Sequence, residues 1–112
     1  MKNARILFFD YNQNWRRNIG ILLLNNFSEV TICSNVDDAK AVYSNGAAGH
    51  GINNFDIVIG AARGQGDEYL ISLQKKGQKV FHLSGSPNDK LPHMSKGDYD
   101  EIEFLKQLEL LL

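Results

Sequence analysis

The chain has 112 residues, 43% apolar and 22% charged, and its 12 basic and 13 acidic side chains leave a formal charge of −1. Such a length suits one domain with a true core, because domains cluster at about 100–150 residues and a chain of this size hides roughly two-thirds of its unfolded surface. The ordinary composition excludes disorder as the main state, and the balanced charge excludes a basic field that would hold nucleic acid or an anionic membrane.

Short apolar runs alternate with amphipathic ones. Ala4–Phe9, "ARILFF", is a continuous apolar run of strand length ending at Asp10. In "WRRNIGILLLNNF", residues 15–27, Trp15, Ile19, Leu22, Leu23 and Phe27 recur at three- and four-residue steps, which predicts a helix with one buried face. Glu29–Ser34, "EVTICS", is rich in β-branched residues and reads as a second strand. "NVDDAKAVYSN" predicts a helix capped by Asn35, with Val36, Ala39 and Tyr43 inward, and Gly46–Asn54 follows as a glycine and asparagine loop. "FDIVIGA", Phe55–Ala61, is the third strand. "GDEYLISLQKKG" is the third helix, with Tyr69, Leu70 and Leu73 inward and Gly77 at its end. "KVFHLSG" and "PHMSK" are the fourth and fifth strands, and "DYDEIEFLKQLELLL" is a closing helix with Ile102, Leu105 and Leu108 or Leu112 on its buried side.

Strands alternating with helices predict βαβ units and a parallel sheet covered on both faces. With no internal repeat or linker, residues 1–112 read as a single α/β domain, a doubly wound five-stranded parallel sheet. The lone Cys33 cannot form an internal disulfide, the N-terminus enters a strand with no signal-peptide core, and no apolar stretch approaches the ~20 residues of a membrane span. A cytoplasmic setting is expected. His50, His82 and His93 are not at ligand spacing, so no metal is expected. The loose Gly-x-Gly at Gly64 and Gly66 lacks the Lys-Ser/Thr of a phosphate loop and reads as an ordinary loop before a helix.

In doubly wound sheets, ligands gather at the carboxyl ends of the strands, which here carry Asp10-Tyr11, Ala61-Ala62-Arg63, Ser84-Gly85 and Ser95-Lys96. Over these residues the chain resembles the response-regulator receiver domains of two-component signalling. "RILFFDYNQNWRR" is similar to the first strand and acidic turn, "FDIVIGA" to the phosphoacceptor strand, "VFHLSGS" to the hydroxyl-bearing strand and "HMSKG" to the lysine strand. The resemblance covers nearly the whole chain in order. It implies the CheY-like, flavodoxin-like fold with strand order 2-1-3-4-5, Asp10 at the first acidic position, Ser84 at the hydroxyl, Lys96 at the lysine and His93 at a switch position.

A working receiver needs a carboxylate nucleophile on strand three, acidic ligands for Mg²⁺, and a hydroxyl and an ammonium to stabilise the phosphoryl oxygens. This chain departs from that set. Ala61 occupies the nucleophile position and has no heteroatom, and neither Gly60 nor Ala62 would rescue the chemistry after a one-residue slip. Tyr11 occupies the second acidic position, and a phenol with a pKa of about 10 is a poor Mg²⁺ ligand near neutrality. Asp56 lies five positions upstream, about 16 Å away, and Asp67 falls in the first turn of helix three. The stretch "GSPNDKLP" is too short for a mean helix of about 11–12 residues, so the helix between strands four and five should be shortened or lost.

For Asp10 a metal-ligand role stands against a structural one, capping the next segment and pairing with Lys96; for Ser84 a spent pocket hydroxyl stands against a donor to another anion. Cys33 reads as a small buried hydrophobe, and Trp15 as core edge or contact patch with Arg16 and Arg17. The expectation is a degenerate receiver, not an enzyme and needing no cofactor, that binds another signalling protein without phosphorylation, with self-association through the last helix or excision from a longer chain both open. The alternative is a small-molecule or anion sensor built on Ser84, Lys96 and Arg63, and a phosphoacceptor using an unexpected residue such as Asp10 is a third.

Overall fold

A computed structural model of the chain describes residues 2–50, 55–61 and 65–112, with residues 45–50 as backbone alone. Five strands, β1 (Lys2–Phe9), β2 (Phe27–Cys33), β3 (Ile57–Gly60), β4 (Val80–Ser84) and β5 (His93–Ser95), form one parallel sheet in the order β2-β1-β3-β4-β5. Four helices flank it: α1 (Gln13–Asn26), α2 (Val36–His50), α3 (Gln65–Lys75) and α4 (Glu101–Leu111), the last preceded by a 3₁₀ turn over Lys96–Asp98. The order is the one the resemblance implied. β3 and β4 are buried at every position, and the run β3 is apolar throughout, as a central parallel strand requires, whereas the edge strand β2 is exposed at several positions.

The core divides at the sheet. On one side Ile6, Phe8, Ile57, Ile59, Phe81 and Leu83 pack against Ile19 and Leu23 of α1 and Phe104 and Leu108 of α4. On the other side Leu7, Phe9, Val58 and Val80 meet Val36 and Ala39 of α2, Leu70 and Leu73 of α3, and Leu91. Asn12 caps α1 by accepting the Trp15 N–H at 3.1 Å, and Asn35 caps α2 by accepting the Asp38 N–H at 2.8 Å. α3 closes in a Schellman motif in which Gly77, at φ +92°, and Gln78 donate back to the carbonyls of Gln74 and Leu73.

Several boundaries differ from the sequence reading. Phe27 opens β2 instead of ending α1, yet is buried all the same, so helical spacing and strand burial both fit it. α2 continues through Gly46 to His50, where a loop was expected; residues 51–54 lie outside the described residues. The closing helix begins at Glu101 behind the cap Asp100, and it buries Phe104 and Leu108 while Ile102 is 79% exposed. No helix among the described residues is long and apolar enough to cross a membrane.

The crossover from β4 to β5 contains no helix. Its place is taken by residues 85–92, held down from within. Leu91 is buried in the α2 and α3 cluster, the Asn88 N–H donates to Nδ1 of the fully buried His82 at 2.9 Å, and Asn88 Nδ2 donates to Asp67 Oδ2 on α3 at 2.9 Å.

Candidate functional site

The sheet order brings Asp10, Ala61, Ser84 and Lys96 to one edge, each just beyond or at the last residue of its strand. Asp10 is 1% exposed, and both carboxylate oxygens are engaged. Oδ2 accepts from Lys96 Nζ at 2.8 Å, and Oδ1 accepts from the Asn12 N–H at 2.8 Å. The Asp10 carbonyl receives Arg16 Nη1 at 3.0 Å, and its N–H donates to the Cys33 carbonyl. Asn12, two residues further on, is the helix cap; Asp10 braces the turn that presents it.

Lys96 Nζ also lies 5.0 Å from the centroid of Trp15, which meets Tyr99 edge-on at 5.5 Å. A desolvated ammonium facing a carboxylate on one side and an indole on another has its charge compensated in place. Trp15 is thus core edge and lid to the ion pair, a role that its spacing in the sequence did not reveal. Burial first, then the Glu101 and Asp100 carboxylates, push the Tyr99 phenol up from its usual range.

Ala61 is 4% exposed and offers a methyl group where the strand meets the edge. The preceding Gly60 is required by packing: a Cβ there would lie 2.3 Å from Cζ of Phe9, whose buried ring covers that position. Ser84 is buried and its Oγ accepts the Ser86 N–H at 3.2 Å, closing a local turn. Tyr11 is 71% exposed and turned to solvent. An open cavity of about 340 Å³ lies among Tyr11, Asn12, Trp15, Ala61, Ser84 and Lys96.

His93 is exposed and stands apart from that cavity, its Nδ1 2.8 Å from the Leu91 carbonyl. Arg63 and Gly64 lie outside the described residues. Asp56 is at the far end of β3, accepting the Arg5 N–H at 2.8 Å. Among the described residues, no group of three metal-ligating side chains gathers. Cys33 is buried, and burial and then Asp38 raise its thiol pKa, so it is held as the neutral thiol.

Chemically, the arrangement can hold a fixed ion pair beneath a shallow polar cavity. Among the described residues, the acidic side chain at these strand ends is Asp10, and both of its oxygens accept hydrogen bonds, from Lys96 Nζ and the Asn12 N–H.

No family model matches the sequence, and no curated protein does. Among solved structures the fold is similar to the chemotaxis response regulator CheY4 of Vibrio cholerae, at 18% identity and a TM-score of 0.75 over 99% of this chain and 100% of that one. It is similar also to the signal receiver domain of an HD domain-containing protein from Pseudomonas fluorescens Pf-5, at 19% identity and TM-score 0.77 over 98% and 94%. A response regulator receiver domain protein from Clostridium thermocellum matches at 17% identity and TM-score 0.76 over 96% and 93%. The chain therefore has the CheY-like, flavodoxin-type fold, and at these identities the likeness is one of fold.

Proposed function

We propose that the chain is a degenerate receiver domain, a single domain that serves as a phosphorylation-independent protein-interaction module in cytoplasmic signalling and has no enzymatic activity of its own. The observation that carries this reading is Ala61, buried at the end of the central strand where a receiver's nucleophile stands. A methyl group cannot form an acyl phosphate. The Asp10–Lys96 pair supports the reading, since a lysine that would meet a phosphoryl oxygen is satisfied by a carboxylate instead.

Signalling through a surface then replaces signalling through a charge. In a switched receiver, the incoming phosphoryl group reorganises the hydroxyl and lysine and so changes the far surface. Here the same residues are locked by internal partners, so the recognition surface is set by sequence. The helix-free crossover alters the face around β5 and α4, so the partner should differ from those of receivers that carry that helix.

The test is capture of partners by the chain with and without prior treatment with acetyl phosphate and Mg²⁺, alongside a variant altered at His93 and Leu105. The module reading expects the same specific partner with and without the donor and its loss in the variant. Capture that needs the donor, or that is indifferent to the variant, contradicts it.

The open cavity beside Ser84 and Lys96 supports a second reading, an anion or small-molecule sensor. Thermal shift with phosphate, nucleotides and cyclic dinucleotides separates the two. Stabilisation by one of them that is lost in Ser84→Ala supports the sensor.

A further inference from the structure

We propose that the chain associates with itself head to tail, the groove between α1 and β2 of one copy receiving the outward face of α4 of the next. Tyr11 and Leu112 aside, every exposed large apolar side chain of the described residues lies on one of these two surfaces.

The groove encloses about 380 Å³ between the helix and the edge strand. Ile21, Leu24 and Ile32 line it at 52%, 50% and 37% exposure. Gly20 forms its floor and lets the two elements approach, because a Cβ there would come within 2.8 Å of Ile32 Cδ1. Arg16 and Arg17 also line it, and no carboxylate does. Arg16 is turned back to the Asp10 carbonyl, whereas Arg17 is exposed and makes no ion pair among the described residues. An apolar trough bounded by an unpaired guanidinium fits an apolar, acidic helix.

α4 has that chemistry on its outer side. Ile102 and Leu110, both 79% exposed, stand on one ridge with Lys106 between them at four-residue steps. Glu103 and Glu109 flank the ridge, both exposed, and Glu109 makes no ion pair among the described residues. The inner side of the helix is already committed to the core through Phe104 and Leu108. The outer face cannot reach its own groove, so the two surfaces meet only between copies.

Because the surfaces differ, the contact is heterologous and does not close into a dimer by itself. One helix face in one groove falls below the roughly 1,200 Å² of a standard interface. The association is therefore weak and concentration-dependent. It does not rest on the proposed function, and either can fail alone.

Sedimentation velocity over a concentration series at low salt tests it. The wild type should show an average mass that climbs with concentration past the dimer. Arg17→Glu and Glu109→Arg, each alone, should reduce that climb several-fold, since each sets like charges against each other. An equimolar mixture of the two variants should restore it, because every contact between unlike variants again joins opposite charges. That recovery also shows that both variants are folded. A wild type of constant monomer mass, single variants that associate like the wild type, or a mixture that stays as weak as its components would each overturn the proposal.

Discussion

Lys96 and Asp10 leave strands that are not neighbours, yet Lys96 Nζ reaches across the ends of β3 and β4 to lie 2.8 Å from Asp10 Oδ2. The pair ties the first strand to the last at the point where the alanine of the middle strand leaves room between them. Removing one partner of a buried pair strands the other. Lys96→Met, which keeps the stem against Trp15, should cost about 3 kcal/mol in urea unfolding. Adding Asp10→Asn to that variant should recover part of the loss, with a coupling of about 1 kcal/mol or more. Strictly additive costs would mean that the two side chains do not depend on each other.

The segment that replaces the crossover helix is held by the His82–Asn88–Asp67 chain. Asn88→Ala removes the bond to Asp67 and should destabilise by about 1–2 kcal/mol. Limited proteolysis should then cut first within residues 85–92. Unchanged cleavage in that segment would show that Leu91 and the short turn hold it without Asn88.

Phe9 and Gly60 share one space. Gly60→Ala should cost about 1–3 kcal/mol by overpacking against the Phe9 ring. The double variant with Phe9→Leu should be more stable than the two separate costs predict. If Gly60→Ala is neutral in thermal unfolding, the ring has room to move that the packing does not suggest.

Tyr69 has its hydroxyl buried with no hydrogen-bond partner among the described residues. Burial, then the neighbouring Tyr43 and Cys33, push its pKa from 10.0 up to about 12. The folded state therefore keeps the proton where the unfolded chain would release it. Its contribution to stability is complete below pH 10 and is lost as the pH climbs from there through about 12. Tyr43 and Tyr99, also raised by burial, add in the same direction. Absorbance titration should show a late-ionising phenol that is absent in Tyr69→Phe. Because the hydroxyl is unsatisfied, Tyr69→Phe should be neutral or stabilising near pH 7; a loss above about 1 kcal/mol would point to a partner for that oxygen.

Much of this architecture is legible in the residues themselves. "ARILFF" and "IVIG" are apolar without alternation because both faces of a central parallel strand are covered, and Asn35 and Gly77 mark helix ends by chemistry that allows little else there. Ile102 misleads because periodicity alone does not choose between two apolar stripes on one helix; the aromatic Phe104, whose ring meets Phe81 and Tyr99, wins the core. The helix continued through Gly46 because glycine raises the cost of a helix by only about 1 kcal/mol, which the surrounding fold overrides. At the strand ends, the alanine that we propose stands in place of a receiver's nucleophile is visible in sequence as Ala61. What surrounds it is not: the reach of Lys96 over Trp15 to Asp10 joins residues far apart in the chain, and the hold of His82 on Asn88 spans the turn after β4, both through side-chain directions that spacing does not encode.

In the function we propose, the carboxyl ends of the strands keep the form of a phosphoacceptor site without its chemistry. Intact mass after incubation with acetyl phosphate and Mg²⁺ tests it most directly. The predicted result is the unmodified mass at every incubation time. A stable gain of one phosphoryl group that disappears in Asp10→Asn would contradict it, and would show that Asp10 can leave Lys96 to act as the nucleophile.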